Sequence, residues 1–305
     1  MKLLVTGKAG QVVTALIERG ATQGVEIVAM GRPELDLANP QEGLFRIAVV
    51  KPDAIVSAAA YTSVDKAEAE ADLAERINAH GPAALAQLAG ELDIPIIHLS
   101  TDYVFDGSKL SPYVETDQTN PLGVYGATKL AGERAVASAT DNHAILRTAW
   151  VYSPFGNNFL KTMLKLASTR PELRVVDDQH GNPTSALDIA DAVIKVAGNL
   201  LARPDHQSLR GTFHLTGTGE VSWADFALEI FAQSARLGGP SANVRRISTV
   251  DYPTPAKRPA NSQLDTTKLH SVHGITMPDW QSSTHNTIAR LLAGAEDQKM
   301  EECHA

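Results

Sequence analysis

The segment Lys2–Thr6 is a run of apolar and β-prone residues. It leads without a break into Gly7-Lys8-Ala9-Gly10-Gln11-Val12-Val13 and then into a helical stretch reaching about Arg19. A short buried strand that turns through glycines into a helix constrains the fold more than any other feature of the chain. Glycines at such a turn let the backbone come close to a ligand, and the free amides at the helix N-terminus favour an anion such as a pyrophosphate. The spacing is G-x-x-G-x-x-V, with Val13 where a third glycine would permit the closest approach of helix to strand. The expected helix therefore sits slightly further out or tilts.

The pattern continues through the first half of the chain. Glu26–Met30, Asp53–Ser57, Ile94–Leu99 and Ala144–Thr148 read as further strands. Helices are expected over Asp65–Ala79, from Pro82 to about Leu92, and over about Val124–Ala139. Such alternation predicts an α/β fold, a doubly wound parallel sheet of the Rossmann type with helices on both faces. Ligands in these sheets sit beyond the carboxyl ends of the strands, so polar residues there are candidates. Three clusters qualify: Ser57–Thr62, Ser100–Gly107 and Arg147–Tyr152. Between the last two lie Tyr125 and Lys129, four residues apart and so on one helix face. An ammonium beside a phenol, whose ordinary pKa is about 10, is expected to pull it toward neutrality and make it a usable proton donor. The spacing alone is weak, since 6 Tyr and 12 Lys in 305 residues give about 0.24 such pairs by chance. The three clusters around the pair give it weight.

Past residue 150, helices are expected over about Asn158–Thr169 and Ser185–Leu201, with strands at Leu173–Val176 and Phe213–Thr216. Ser222 is placed to cap a helix that opens with Trp223. We expect a dinucleotide-binding domain over residues 1–150 and a mainly substrate-binding domain over 151–305, a smaller α/β unit interleaved with the sheet. Lys257-Arg258-Pro259 offers positive charge for a nucleoside diphosphate. At 43% hydrophobic the chain can bury a sizeable core. It has no apolar run of the roughly 18 residues a membrane span needs, and Met1-Lys2 runs straight into a strand, leaving no room for a leader. One cysteine, Cys303, excludes an internal disulfide. The expectation is a cytoplasmic protein. The formal charge of −8 argues against nucleic-acid binding, and the ten histidines lack metal-ligand spacing, so no catalytic metal is expected.

Ser100-Thr101-Asp102-Tyr103-Val104-Phe105, Tyr125-Gly126-Ala127-Thr128-Lys129-Leu130-Ala131-Gly132-Glu133 and Arg147-Thr148-Ala149-Trp150-Val151-Tyr152 together resemble the dTDP-4-dehydrorhamnose reductases, a branch of the extended short-chain dehydrogenase/reductases. Ala58–Glu68, Gly156–Phe159, Asp178–Thr184, Tyr252–Ser262 and Pro278–Trp280 extend the similarity over nearly the whole chain. The resemblance implies reduction of the 4-keto group of dTDP-4-dehydro-β-L-rhamnose by a reduced nicotinamide cofactor. It implies that Tyr125 donates the proton, that Lys129 holds the nicotinamide ribose and lowers the phenol's pKa, and that Thr101 tunes Tyr125 near the ketone. Asp102, Val64 and Trp150 would line the sugar site. Gly10, Gln11 and Val12, following Gly7, would meet the pyrophosphate, with Ala60, Tyr61 and Thr62 flanking the cofactor further in.

No acid closes the second strand; Met30-Gly31-Arg32-Pro33 instead puts Arg32 where a 2′-phosphate would lie, favouring NADPH with NADH tolerated. Asp36 and the adjacent Leu37 resemble the family's adenine-side residues. The sugar-nucleotide 4,6-dehydratases carry an acidic pair after the threonine, whereas here Asp102 is followed by Tyr103. Some members of the resembled family dimerise through a Mg²⁺ bridge of glutamates; those places hold Ala15 and Leu187, so a monomer or a homodimer without that bridge is expected. Two other readings stay open: an NADP-binding regulatory subunit of another enzyme, and a reductase or epimerase of a different sugar nucleotide.

Overall fold

The computed structural model describes the backbone of residues 1–303 and the side chains of residues 1–294. In its first half, β1 (Lys2–Thr6), α1 (Gln11–Gln23), β2 (Glu26–Met30), α2 (Gln41–Val50), β3 (Ala54–Ser57), α3 (Val64–Ala67), α4 (Ala71–Glu75) and α5 (Gly81–Glu91) follow one another. Next come β4 (Ile96–Thr101), α6 (Val124–Ala139), β5 (His143–Thr148), β6 (Val151–Tyr152), α7 (Phe159–Ala167), β7 (Glu172–Val176), β8 (His180–Gly181) and β9 (Thr184–Ser185). The chain ends with α8 (Ala186–Ala202), β10 (Gly211–His214), β11 (Val221–Ser222), α9 (Trp223–Arg236), β12 (Asn243–Ile247), α10 (Thr267–His273) and α11 (Trp280–Cys303).

Six strands form one sheet in the order β10-β5-β4-β3-β1-β2. Every pairing in it is parallel. Leu3, Leu4, Val5, Ile55, Val56, Ile96, Ile97 and Leu146 are fully buried, as continuous apolar runs in a doubly covered sheet should be. The direction of winding reverses between β1 and β3, which opens a crevice at their carboxyl ends. The Thr6 hydroxyl accepts the amides of Ala58 and Ala59, each at 3.0 Å, and so fixes the floor of that crevice.

Of the apolar clusters in the interior, two mark its halves. One joins the sheet to α1 and α8 through Val13, Ala15, Leu16, Ile189, Val193 and Val196. The other packs α7, α9 and α11 together around Tyr152, Leu160, Phe226, Ile230 and Trp280. The strand β10 and the helix α8, both past residue 150, belong to the first cluster, so the chain crosses between the two halves more than once. Asn158, Ser185 and Ser222 cap their helices, accepting the amides of Lys161, Leu187 and Asp225 respectively.

Several expectations need correction. The single helix expected over Asp65–Ala79 is three pieces: α3 and α4 separated by a turn, then a π-helical turn over Arg76–His80. The strand expected at Ile94–Leu99 begins at Ile96, after Pro95, and runs two residues further, through Thr101. The strand expected at Phe213–Thr216 lies earlier, at Gly211–His214. The side chain of Cys303 lies outside the described residues.

Candidate active site

The site is built where β1, β3 and β4 end and α6 begins. Gly7 adopts φ 103°, a conformation that favours glycine, and its amide donates to Met30 O at 2.7 Å. A Cβ on Gly31 would come within 3.2 Å of the Gly7 backbone, so two bare backbones meet there. Val13 fills the space over Gly7: it is 2% exposed, and its Cγ2 stands 3.2 Å from where a Gly7 Cβ would be. Gly10 caps α1, leaving the first-turn amides of Gln11 and Val12 without intrahelical acceptors. The side chain of Gln11 is already engaged, since its Oε1 accepts Ser153 Oγ at 2.7 Å and Asn158 Nδ2 at 2.9 Å.

Arg32, at the end of β2, is exposed and makes no hydrogen bond or ion pair among the described residues, whereas Lys8 in the glycine turn pairs with Glu34. Asp36 accepts the Ala38 amide at 3.0 Å in a local turn. Leu37 is buried beneath it against Gly81, with the apolar cluster around β1 and α5. These surroundings fit a dinucleotide with a phosphorylated ribose: a backbone cradle a side chain would fill, a helix N-terminus and, among the described residues, an exposed cation without an ion-pair partner.

Ala60, Tyr61 and Thr62 leave the crevice floor. Asn78, on the π-helical turn, holds Tyr61 at both ends of its peptide, accepting its amide at 2.8 Å and donating to its carbonyl at 3.2 Å. The same amide group donates to Thr128 Oγ1 on α6 at 3.1 Å. Asn78 is fully buried, and nothing in the charged, Ala-rich stretch around it marks it out in the sequence. The Tyr61 hydroxyl points away to Glu70.

Tyr125 is the second residue of α6, and its ring meets Tyr103 edge to face at 5.7 Å. The hydroxyl of Thr101 lies within hydrogen-bonding reach of the phenol. That hydroxyl also accepts the Tyr103 amide and donates to Asp102 Oδ1 at 2.8 Å. Asp102 is 2% exposed and its Oδ2 has no bonded partner; burial pushes its pKa up to about 6. Lys129 is 3% exposed and donates from Nζ to Leu99 O at 2.6 Å. Burial lowers its pKa to about 8, opposed by Glu133 one turn further along. Glu133 is itself gripped by Ser100 and, through two hydrogen bonds, by Arg147.

Burial and then nearby Asp102 push the Tyr125 pKa up to about 12, and only Thr101 pulls it down. Lys129 lies one turn away as expected, but its ammonium is turned to the Leu99 carbonyl.

Val64 opens α3 at the rim, and Trp150 sits between β5 and β6 with a left-handed φ of 46°. Arg258 reaches across to Asp65 on α3 at 2.9 Å, so its charge is partly engaged, and it also contacts Tyr103. No helix among the described residues is long and apolar enough to cross a membrane.

A parallel sheet with a glycine turn at its first strand, and a Thr/Tyr/Lys set at the ends of β4 and α6, is the architecture of an extended short-chain dehydrogenase/reductase. The family model for the RmlD substrate binding domain matches residues 1–293. The chain is 51% identical to a dTDP-4-dehydrorhamnose reductase of Sinorhizobium fredii over 97% of its own length and all of the relative's. The crystal structure of a dTDP-4-dehydrorhamnose reductase from Clostridium acetobutylicum superposes with a TM-score of 0.87 at 40% identity, covering 96% of this chain and all of that one. One from Bacillus anthracis, in complex with NADP, gives 0.86 at 33% identity, covering 95% and 99%. The chain belongs to the dTDP-4-dehydrorhamnose reductase family.

Proposed function

We propose that this chain reduces the 4-keto group of dTDP-4-dehydro-β-L-rhamnose to give dTDP-β-L-rhamnose, using NADPH and tolerating NADH. The observation that carries the reading is the set of buried Thr101, Asp102 and Lys129 with half-buried Tyr125 at the mouth of a glycine-lined nucleotide crevice. The Bacillus anthracis relative's complex with NADP and the unpaired Arg32 support the choice of cofactor.

NADPH, when bound, supplies the hydride. The remaining work falls to the chain. Gly7 and Gly10, with the amides of Gln11 and Val12, would hold the pyrophosphate, and Arg32 the 2′-phosphate. Asp36 and Leu37 would lie toward the adenine, with Ala60, Tyr61 and Thr62 along the inner part of the cofactor. Lys129, anchored by its bond to Leu99 O, would meet the nicotinamide ribose. Val64, Asp102, Trp150 and Arg258 would hold the sugar nucleotide, and Thr101 the ketone side of the sugar.

Tyr125 would give its proton to the oxygen that was the ketone. A phenol with a pKa of about 12 is protonated at neutral pH, and an alkoxide is the stronger base, so transfer toward the sugar is downhill. The reverse reaction needs a phenolate as base, which burial opposes. Donation within an assembled site replaces separate encounters, which accounts for several kcal/mol of the barrier.

Ala15 is fully buried in the packing of α1 and α8, and no carboxylate stands at position 15 or 187. That supports a monomer or a dimer built without a Mg²⁺ bridge.

The test is turnover by purified chain with NADPH and a panel of dTDP-, UDP- and GDP-linked 4-keto sugars. The dTDP-linked 4-dehydrorhamnose is expected to give the highest kcat/KM. Tight NADPH binding with no turnover of any of them would instead point to the regulatory role.

A further inference from the structure

We infer that Trp223 is a positioning residue: it clamps the indole of Trp150 in its left-handed backbone conformation, making a rigid aromatic wall for the sugar nucleotide. This rests on the function proposed above and extends it to a residue in the other half of the molecule.

Trp150 has φ 46°, one of three non-glycine residues in the left-handed region among the described residues. A bulky side chain there is strained, and such strain persists only where the surroundings over-determine it. Two surroundings do so. The Trp223 ring lies over the Trp150 ring with centroids 3.5 Å apart and planes 5° from parallel, a full face-to-face stack. Gly181 abuts the other edge of the indole, where a Cβ would stand 2.5 Å from Cε2 and 2.6 Å from Nε1. Any larger residue at 181 would push the ring off its seat.

Trp223 is itself firmly placed. It is the first residue of α9, whose cap Ser222 accepts the Asp225 amide at 3.1 Å and donates to Asp177 Oδ1 at 2.7 Å. Phe159 of α7 packs against its ring at 4.6 Å. Face-to-face stacking of two rings is not the arrangement their quadrupoles prefer, so neighbours, rather than the pair alone, must set it. Both indoles are only partly buried, so the stack is a wall with an open side rather than core. Trp150 hangs from the end of β5 in the cofactor sheet, and Trp223 starts a helix of the α7–α9–α11 cluster. The stack is therefore a joint between the halves, at a residue assigned above to the sugar side.

The test compares wild type with Trp223→Ala and Trp223→Phe. Stacked indoles split their strong ultraviolet transition, so the ligand-free wild type is expected to show an exciton couplet in far-ultraviolet circular dichroism that both variants lose. In Trp223→Ala, KM for the dTDP-linked 4-keto sugar should rise about five- to tenfold, the range an aromatic pair accounts for. NADPH affinity by calorimetry should stay within about twofold, because neither indole is among the residues assigned above to the cofactor. Trp223→Phe, which keeps a stacking face, should recover most of the KM.

A wild type without the couplet, a Trp223→Ala enzyme with unchanged KM, or a phenylalanine variant no better than alanine would each overturn the clamp. If Trp223→Ala does not fold, the Phe variant and the wild-type couplet still decide the matter. Wild type that shows the couplet but reduces no sugar nucleotide would sink the proposed function and leave the stacking geometry standing.

Discussion

Tyr125 and Asp102 set opposite demands on one hydroxyl. Thr101 has a single proton to donate, and both the phenol and the Asp102 carboxylate lie within its reach. Removing the phenol's proton should be the most damaging change: Tyr125→Phe is expected to lower kcat by about 10²- to 10⁴-fold, the range for loss of a general acid. NADPH affinity measured by titration should be nearly unchanged. Asp102 carries a cost of a different kind. Its folded pKa is raised from 3.8 to about 6, so burial favours the neutral acid. The protein should be most stable, with respect to this group, below about pH 4, and lose stability as pH rises toward about 6, levelling off above. The loss is on the order of 3 kcal/mol. Asp102→Asn should therefore unfold at higher denaturant than wild type above pH 6, with the gap closing near pH 4; a gap independent of pH would contradict this reading. The residues themselves were legible in the sequence, because Thr101, Tyr125 and Lys129 fall in recognisable stretches at predicted strand and helix ends. Their charge states were not. The spacing of Tyr125 and Lys129 suggests mutual influence, but the direction of each shift is set by burial, which sequence spacing does not reveal.

Among the elements, α6 is held closest to its neighbours. A Cβ at Gly126 would overlap Tyr103 O, and one at Gly132 would overlap Asn78 O, so the helix lies directly on two backbones. Gly132→Ala is expected to cost about 1–3 kcal/mol in denaturant unfolding, the usual range for overpacking. It should also lower kcat, because the shift is passed along the helix to Tyr125; full activity with lowered stability would show that the helix can move without carrying the phenol. The strands of the main sheet were readable since buried parallel strands are plain apolar runs. The helix α2 was not, because its Gly43 and exposed Phe45 and Val49 blur the amphipathic pattern. The break in the Asp65–Ala79 stretch was also hidden: Ala- and Glu-rich sequence has high helix propensity throughout, and the interruption at Glu68–Glu70 comes from packing against α6. The two-residue strands β6, β8, β9 and β11 are tertiary pairings with no local signature.

For the whole molecule, the interleaving of halves matters more than any linear boundary. The first half of the sequence supplies five of six strands in the main sheet, but β10 and α8 come from the second, so truncation near residue 150 would expose the face that β10 and α8 cover. With an alanine buried at position 15 and a leucine at 187, sedimentation should be the same in excess Mg²⁺ and in EDTA. A mass that falls on chelation would disprove the reading that no metal bridges copies of this chain. The side chain of Gln11 leaves the glycine turn to grip Ser153 and Asn158, the latter the cap of α7. Under the proposed assignment of residues 11 and 32 to the coenzyme, anyone re-engineering its preference has two very different handles: residue 32 can be rewritten in isolation, whereas a change at residue 11 would be felt on the sugar side, and the two halves would have to be redesigned together.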